Sequence, residues 1–193
     1  MPLRNATTTL LAAGAFATIG FDLFGQSLSP MIQGLLGVDG SFIGTKLAPA
    51  PLAAQSLGVL TGLSGQVIGS LGLGHAVHAL TGVVLYPLGY ALLARPIANA
   101  VSTRVLGRAV PWWVTGAAFG AVLWAFALYV MAHLVAGNPP FLGWGGLTWV
   151  ALWGHILYGL VVAGVVARRE RVVVAKRNYE PREGFEPPLA SVA

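Results

Sequence analysis

The chain has 193 residues, 56% of them hydrophobic and only 9% charged, with a mean hydropathy of +0.75. A soluble domain carries about 25% charged residues, so this composition excludes an ordinary water-facing surface and calls for a lipid-facing one. No cysteine is present, which excludes disulfides, Cys-ligated zinc and iron–sulfur clusters; the net charge of +5 does not point to nucleic acid, because the basic residues lie just beyond the ends of apolar runs.

The first apolar run, residues 7–28, is interrupted only by Asp22. A cleaved signal peptide competes for this region, but the run continues past Asp22 and Gln26 to Pro30 without a clear cleavage site, so it is read as a retained span. The next run, 51–73, is uncharged and rich in glycine (Gly58, Gly62, Gly65, Gly69, Gly72) and in polar residues such as Gln55, Ser56, Ser64 and Gln66. Counting it as a span would move Arg95, Arg104 and Arg108, or the basic tail, to the outer side, against the positive-inside rule. It is read instead as a Gly-rich re-entrant or interfacial segment on the outer side, between the first and second spans.

Three further runs, 75–94, 110–136 and 147–167, contain no Asp, Glu, Lys or Arg. Each reaches the roughly 20 residues that a helix needs to cross a core of about 30 Å. Pro87 is expected to kink the second span near Gly82 and Val83. In the third, Gly116 and Gly120 form a GxxxG pair, suited to packing within the chain or to docking on another membrane subunit. Trp112 and Trp113 open the third span, and Trp144 and Trp149 the fourth, as interfacial anchors.

The expected fold is therefore all-α, an integral membrane four-helix bundle over residues 1–170 with spans at about 7–28, 75–94, 110–136 and 147–167. A basic and then Pro/Glu-rich tail follows at 171–193. With four spans both termini are cytoplasmic, and among the basic residues only Lys46 falls on the outer side.

Polar residues at membrane depth are the candidate functional groups, because they are costly there and face the protein interior or a cavity. They are Asp22, Gln26, His75, His78, His133 and His155. At roughly 1.5 Å of rise per residue, Asp22 lies about 27 Å above Arg4, His78 about 26 Å above Arg95 and His155 about 20 Å above Arg168. These three fall in one outer layer; His75 lies a turn above His78, Gln26 a turn beyond Asp22, and His133 at the outer surface. His78 and His155 each open an H-x-L-x-G pattern on parallel helices, as duplicated helix pairs would.

Three readings stay open. The polar groups are structural, with Asp22 paired to a histidine. Or His78 and His155 ligate a b-type haem between the second and fourth spans. Or Asp22 with His75, His78 and His133 lines an outward cavity for a metal ion, a quinone head group or a transported proton. Walker, HExxH and GxSxG signatures are absent, and the Gly-rich stretch at 69–74 lacks the flanking strand of a dinucleotide fingerprint.

Three stretches, 20–30 (GFDLFGQSLSP), 78–96 (His78 through Tyr90 to Arg95-Pro96) and 153–159 (WGHILYG), resemble a group of small uncharacterised bacterial inner-membrane proteins with four spans. The resemblance implies the inner membrane of a bacterium and no activity. The role expected is non-enzymatic: an accessory or assembly subunit in the lipid bilayer, packed against other subunits of a respiratory or photosynthetic complex. The alternative is a cofactor-binding or transport protein using Asp22, His78 and His155.

Overall fold

A computed structural model describes residues 3–37 and 45–179. Among these every regular element is helical, and four helices are long and apolar enough to cross a membrane, at Ala6–Leu36, Leu73–Val105, Trp112–Val135 and Gly146–Ala175. The protein is a multi-pass membrane protein by that measure. The tail beyond Tyr179 lies outside the described residues.

Helix α1 runs through Leu3–Leu23, a π-helical turn at Phe24–Leu28 and Ser29–Leu36. It extends past residue 28, where the sequence pattern placed its end. Helices α2 (Pro49–Thr61) and α3 (Gly65–Ser70) follow. They break apart because Gly62 takes a left-handed φ of 71° and Ser64 then caps the Val67 N–H at 3.4 Å. This Gly-rich stretch is not among the four long helices.

Helix α4 is one continuous rod: Leu73–Leu80, a π turn at Thr81–Leu85, Tyr86–Gly89, a π turn at Tyr90–Ala94, Arg95–Val101 and a last π turn at Ser102–Leu106. Helix α5 spans Trp112–Ala125 and a π-helical Phe126–Val135, and α6 spans Gly146–Tyr179. The π turns explain how α1 and α4 pass through prolines. Pro30, Pro87 and Pro96 each sit in the first turn of the segment after one. A proline ring collides with the carbonyl four residues back. Widening the ladder by one residue relieves this: Ser29 N–H bonds Phe24 O, Tyr86 N–H bonds Thr81 O and Arg95 N–H bonds Tyr90 O.

Small residues set the helix contacts. Gly116 and Gly120 of α5 lie so close to the backbone of Gly159 and His155 on α6 that a Cβ at either would overlap it. The GxxxG face is thus occupied within the chain. On α1, Ala13 and Ala17 are fully buried, and Gly14 faces the Val83 carbonyl and Pro87 of α4. Gly82 of α4 meets Thr18, and Gly154 of α6 meets Phe21. Helix α6 is central, with Val150, Val162 and Ala163 sealed from solvent. Its C-terminal half reaches α4 through an Arg95–Glu170 ion pair, which puts the lower ends of α4 and α6 at one level.

Helices α4 and α5, by contrast, splay apart. Their main link is an edge-to-face pair between Tyr90 and Phe119 with centroids 5.3 Å apart. Helix α2 spans the upper end of the cleft. Ser56 donates to the Met131 carbonyl at 3.2 Å, while Gln55 meets Asn138 at 2.9 Å and the Ala136 carbonyl at 3.4 Å. Between α5 and α6 a tight turn places Phe141, Leu142 and Trp144 at left-handed φ values of 48°, 53° and 60°. Such backbone is costly for non-glycine residues. It is held by the Thr148 hydroxyl, which donates to the Phe141 carbonyl, and by stacking of Phe141 on Trp124, Tyr129 and Trp144.

Candidate functional site

Asp22 on α1 and His78 on α4 meet between the two helices. His78 Nε2 lies 3.1 Å from Oδ1 and 3.3 Å from Oδ2 of the carboxylate, and Gln26 donates to Oδ1 at 3.0 Å from one turn along α1. The close approach of Gly82 to Thr18 and of Gly14 to Pro87 lets the helices come near enough for these short side chains to touch. The pair is partly open, with side chains 21% exposed for His78 and 31% for Asp22.

His155 on α6 is buried and does not join that pair. Its Nδ1 lies 2.7 Å from the Ala151 carbonyl one turn earlier, so Nδ1 carries the hydrogen. The Phe21 ring packs against both imidazoles, edge-on to His155 with centroids 4.9 Å apart and tilted to His78 at 6.0 Å. The Tyr158 hydroxyl donates to the Gly82 carbonyl at 2.5 Å, tying α6 to α4.

The other candidates stand apart. His75 is exposed. His133 meets the Asn138 carbonyl at 2.7 Å and the Tyr129 ring at 5.4 Å, near the α5–α6 turn. Among the described residues, no three His, Asp or Glu side chains converge as a metal site. Nor do His78 and His155 fit paired ligation of a haem iron. His78 Nε2 is engaged by Asp22, and Phe21 lies against both rings where the macrocycle would need an open face.

What these residues do border is a partly open cavity of about 440 Å³, lined by α1, α2, α4, α5 and α6. Its wall is mostly apolar, with Thr18, Ser56, His78, Thr81, Tyr86, His155 and Tyr158 as polar points. Most of their hydrogens are already donated within the protein. Thr18 gives its hydroxyl to the Gly14 carbonyl at 2.8 Å, Ser56 to Leu52 or Met131, Tyr158 to Gly82, and His155 its Nδ1–H to Ala151. No buried side-chain nitrogen or oxygen is left unsatisfied among the described residues. His155 Nε2 has no protein partner among the described residues, and His155 borders the cavity. In its uncharged form the ring presents a lone pair at that atom.

Phe21, Thr18 and Tyr158 were not singled out by sequence. Tyr158 had a usable signal, lying three residues after His155 and so on the same helix face. Phe21 and Thr18 had none, since a phenylalanine and a threonine in an apolar helix look like any lipid-facing pair. Comparison with protein-family models, with curated proteins and with solved structures finds no match to this chain.

Proposed function

We propose that this protein is an intramembrane binding protein for an apolar molecule carrying a hydrogen-bond-donating head, a hydroxyl above all. The observation that supports this is His155, whose Nε2 is an unpartnered acceptor on a residue that borders an apolar cavity of about 440 Å³. Pockets for small molecules are mostly apolar with a few placed polar groups. A hydroxyl is rejected weakly by an apolar wall but held firmly by an acceptor that would otherwise stay unpaired. The Asp22–His78 pair fixes α1 against α4 beside the cavity and orients the second imidazole.

The setting we propose is the inner membrane of a bacterium, with both termini and the Arg104 loop on the cytoplasmic side and the Gly-rich α2–α3 segment lying at the outer side as an interfacial or re-entrant cap on a four-helix bundle. The distribution of Lys and Arg supports that orientation. An accessory subunit docking through small-residue faces has less support, because Gly116 and Gly120 already pack against α6.

The test is thermal unfolding of the purified protein in nanodiscs with and without the long-chain isoprenoid alcohol farnesol. The alcohol should raise the melting temperature of wild type and leave that of His155→Leu unmoved. Equal shifts in both proteins, or none in either, would remove the reading.

A further inference from the structure

The cavity has a neighbour beyond its lower wall. Leu85, Tyr86 and Phe126 border it from below, and the same three side chains border the top of a second, larger hollow of about 1050 Å³ between the splayed lower halves of α4 and α5. The lower hollow is almost wholly apolar, and its far end is marked by Arg108. Along α4 it runs from Leu85 to Val101, about 24 Å at the rise of an α-helix. One leaflet of a hydrocarbon core is only about 15 Å thick. The hollow is therefore longer than one leaflet, a length that suits an extended chain.

We infer that the ligand is a long-chain amphiphile, whose hydroxyl head sits at His155 and whose hydrocarbon tail passes the waist at Leu85, Tyr86 and Phe126 into the α4–α5 groove. This rests on the head-group reading above and adds the tail. Three features carry it. The two hollows have Leu85, Tyr86 and Phe126 in common, so they adjoin. The groove below is almost wholly apolar, with Tyr86 at its upper end and Thr115 and Arg108 at its lower end as the main polar residues. And α4 and α5 meet mainly at Tyr90 and Phe119, so the groove stays open along its length, where a tail can slide in sideways from lipid. A tail bound there leaves lipid for a surface of similar polarity, so it contributes selection by length and shape more than affinity.

The experiment uses the full chain in nanodiscs and two photoactivatable analogues of hexaprenol, a longer isoprenoid alcohol, one with a diazirine next to the hydroxyl and one with it at the tail end. Crosslinks are mapped by mass spectrometry. The head probe is expected to label the upper cavity around Thr18, Ser56 and His155, and the tail probe the groove around Ile97, Val101 and Val114. Ala118→Leu narrows the groove at an exposed position, and Gly89→Leu narrows it from α4. In either variant the tail labels should be lost while the head labels persist. If the head probe labels the upper cavity and the tail probe scatters over lipid-facing residues, the inference falls and the head-group reading stands. If the head probe misses the upper cavity, or labels near Arg108 while the tail labels near His155, both fall.

Discussion

Asp22 and His78 face one another across the first two membrane helices, with His78 Nε2 3.1 Å from the Asp22 carboxylate and Gln26 completing the carboxylate's shell. Hydrogen bonds between membrane helices average about 0.6 kcal/mol, with a maximum near 1.7. A double-mutant cycle with Asp22→Asn and His78→Ala should give a coupling of about 0.6–1.7 kcal/mol, read from unfolding in mixed detergent micelles. Additive single effects would show that the two groups do not work as a pair.

Two glycines should behave oppositely. A Cβ at Gly120 overlaps the His155 carbonyl, whereas one at Gly89 finds its nearest neighbour, Phe119, at 4.0 Å. Gly120→Ala should therefore cost at least about 1–3 kcal/mol, since the obstacle is backbone. Gly89→Ala should be neutral or stabilising by about 0.5–1 kcal/mol, because it removes a mid-helix glycine. The check is the pair of melting temperatures, and a reversed order would contradict the α5–α6 contact.

Tyr158→Phe removes one hydrogen bond, to the Gly82 carbonyl, and little volume. The variant should lose about 1 kcal/mol of stability while keeping the head-probe labels around His155. Loss of binding with stability intact would instead make the phenol part of the head-group contact.

The Arg95–Glu170 pair should matter little to stability, because its side chains are 44% and 39% exposed. Exposed ion pairs are worth about 0–1 kcal/mol, so Glu170→Gln should shift the unfolding midpoint by no more than that. A larger loss would mean that the lower ends of α4 and α6 are more enclosed than the structure has them.

Because the chain has no cysteine, single cysteines report side of membrane without a background. Ser102→Cys and Ala175→Cys should react with an impermeant maleimide only after permeabilisation of spheroplasts, and Gly137→Cys before it. Opposite behaviour of Ser102→Cys and Ala175→Cys would break the four-span topology.

The four long helices were legible because charge-free runs of that length have few other solutions in lipid. Their ends were not. Pro30 and Pro96 look like stops, and only the π turns ahead of them let α1 and α4 continue. Depth along each helix was also legible, since basic anchors set the scale for Asp22 and His78. Rotation was not, because helices that are apolar on every side have no hydrophobic stripe to point inward. Which imidazole Asp22 meets, and the placement of Phe21 against both rings, depend on that rotation and on glycine contacts between distant segments, such as Gly14 with Pro87.

The π turn at Thr81–Leu85 holds one residue more than the α ladder would there. Removing that residue would join Leu73–Leu80 to Tyr86–Gly89 in α-helical register and would swing everything below it by about 100°. His78 would keep its place beside Asp22, but Pro87 would leave Gly14, and Arg95 would point away from Glu170. The turn thus acts as a phase joint: it lets His78 above it face Asp22 while Pro87 below it meets Gly14 and Arg95 meets Glu170, alignments that a helix of uniform pitch could not satisfy together.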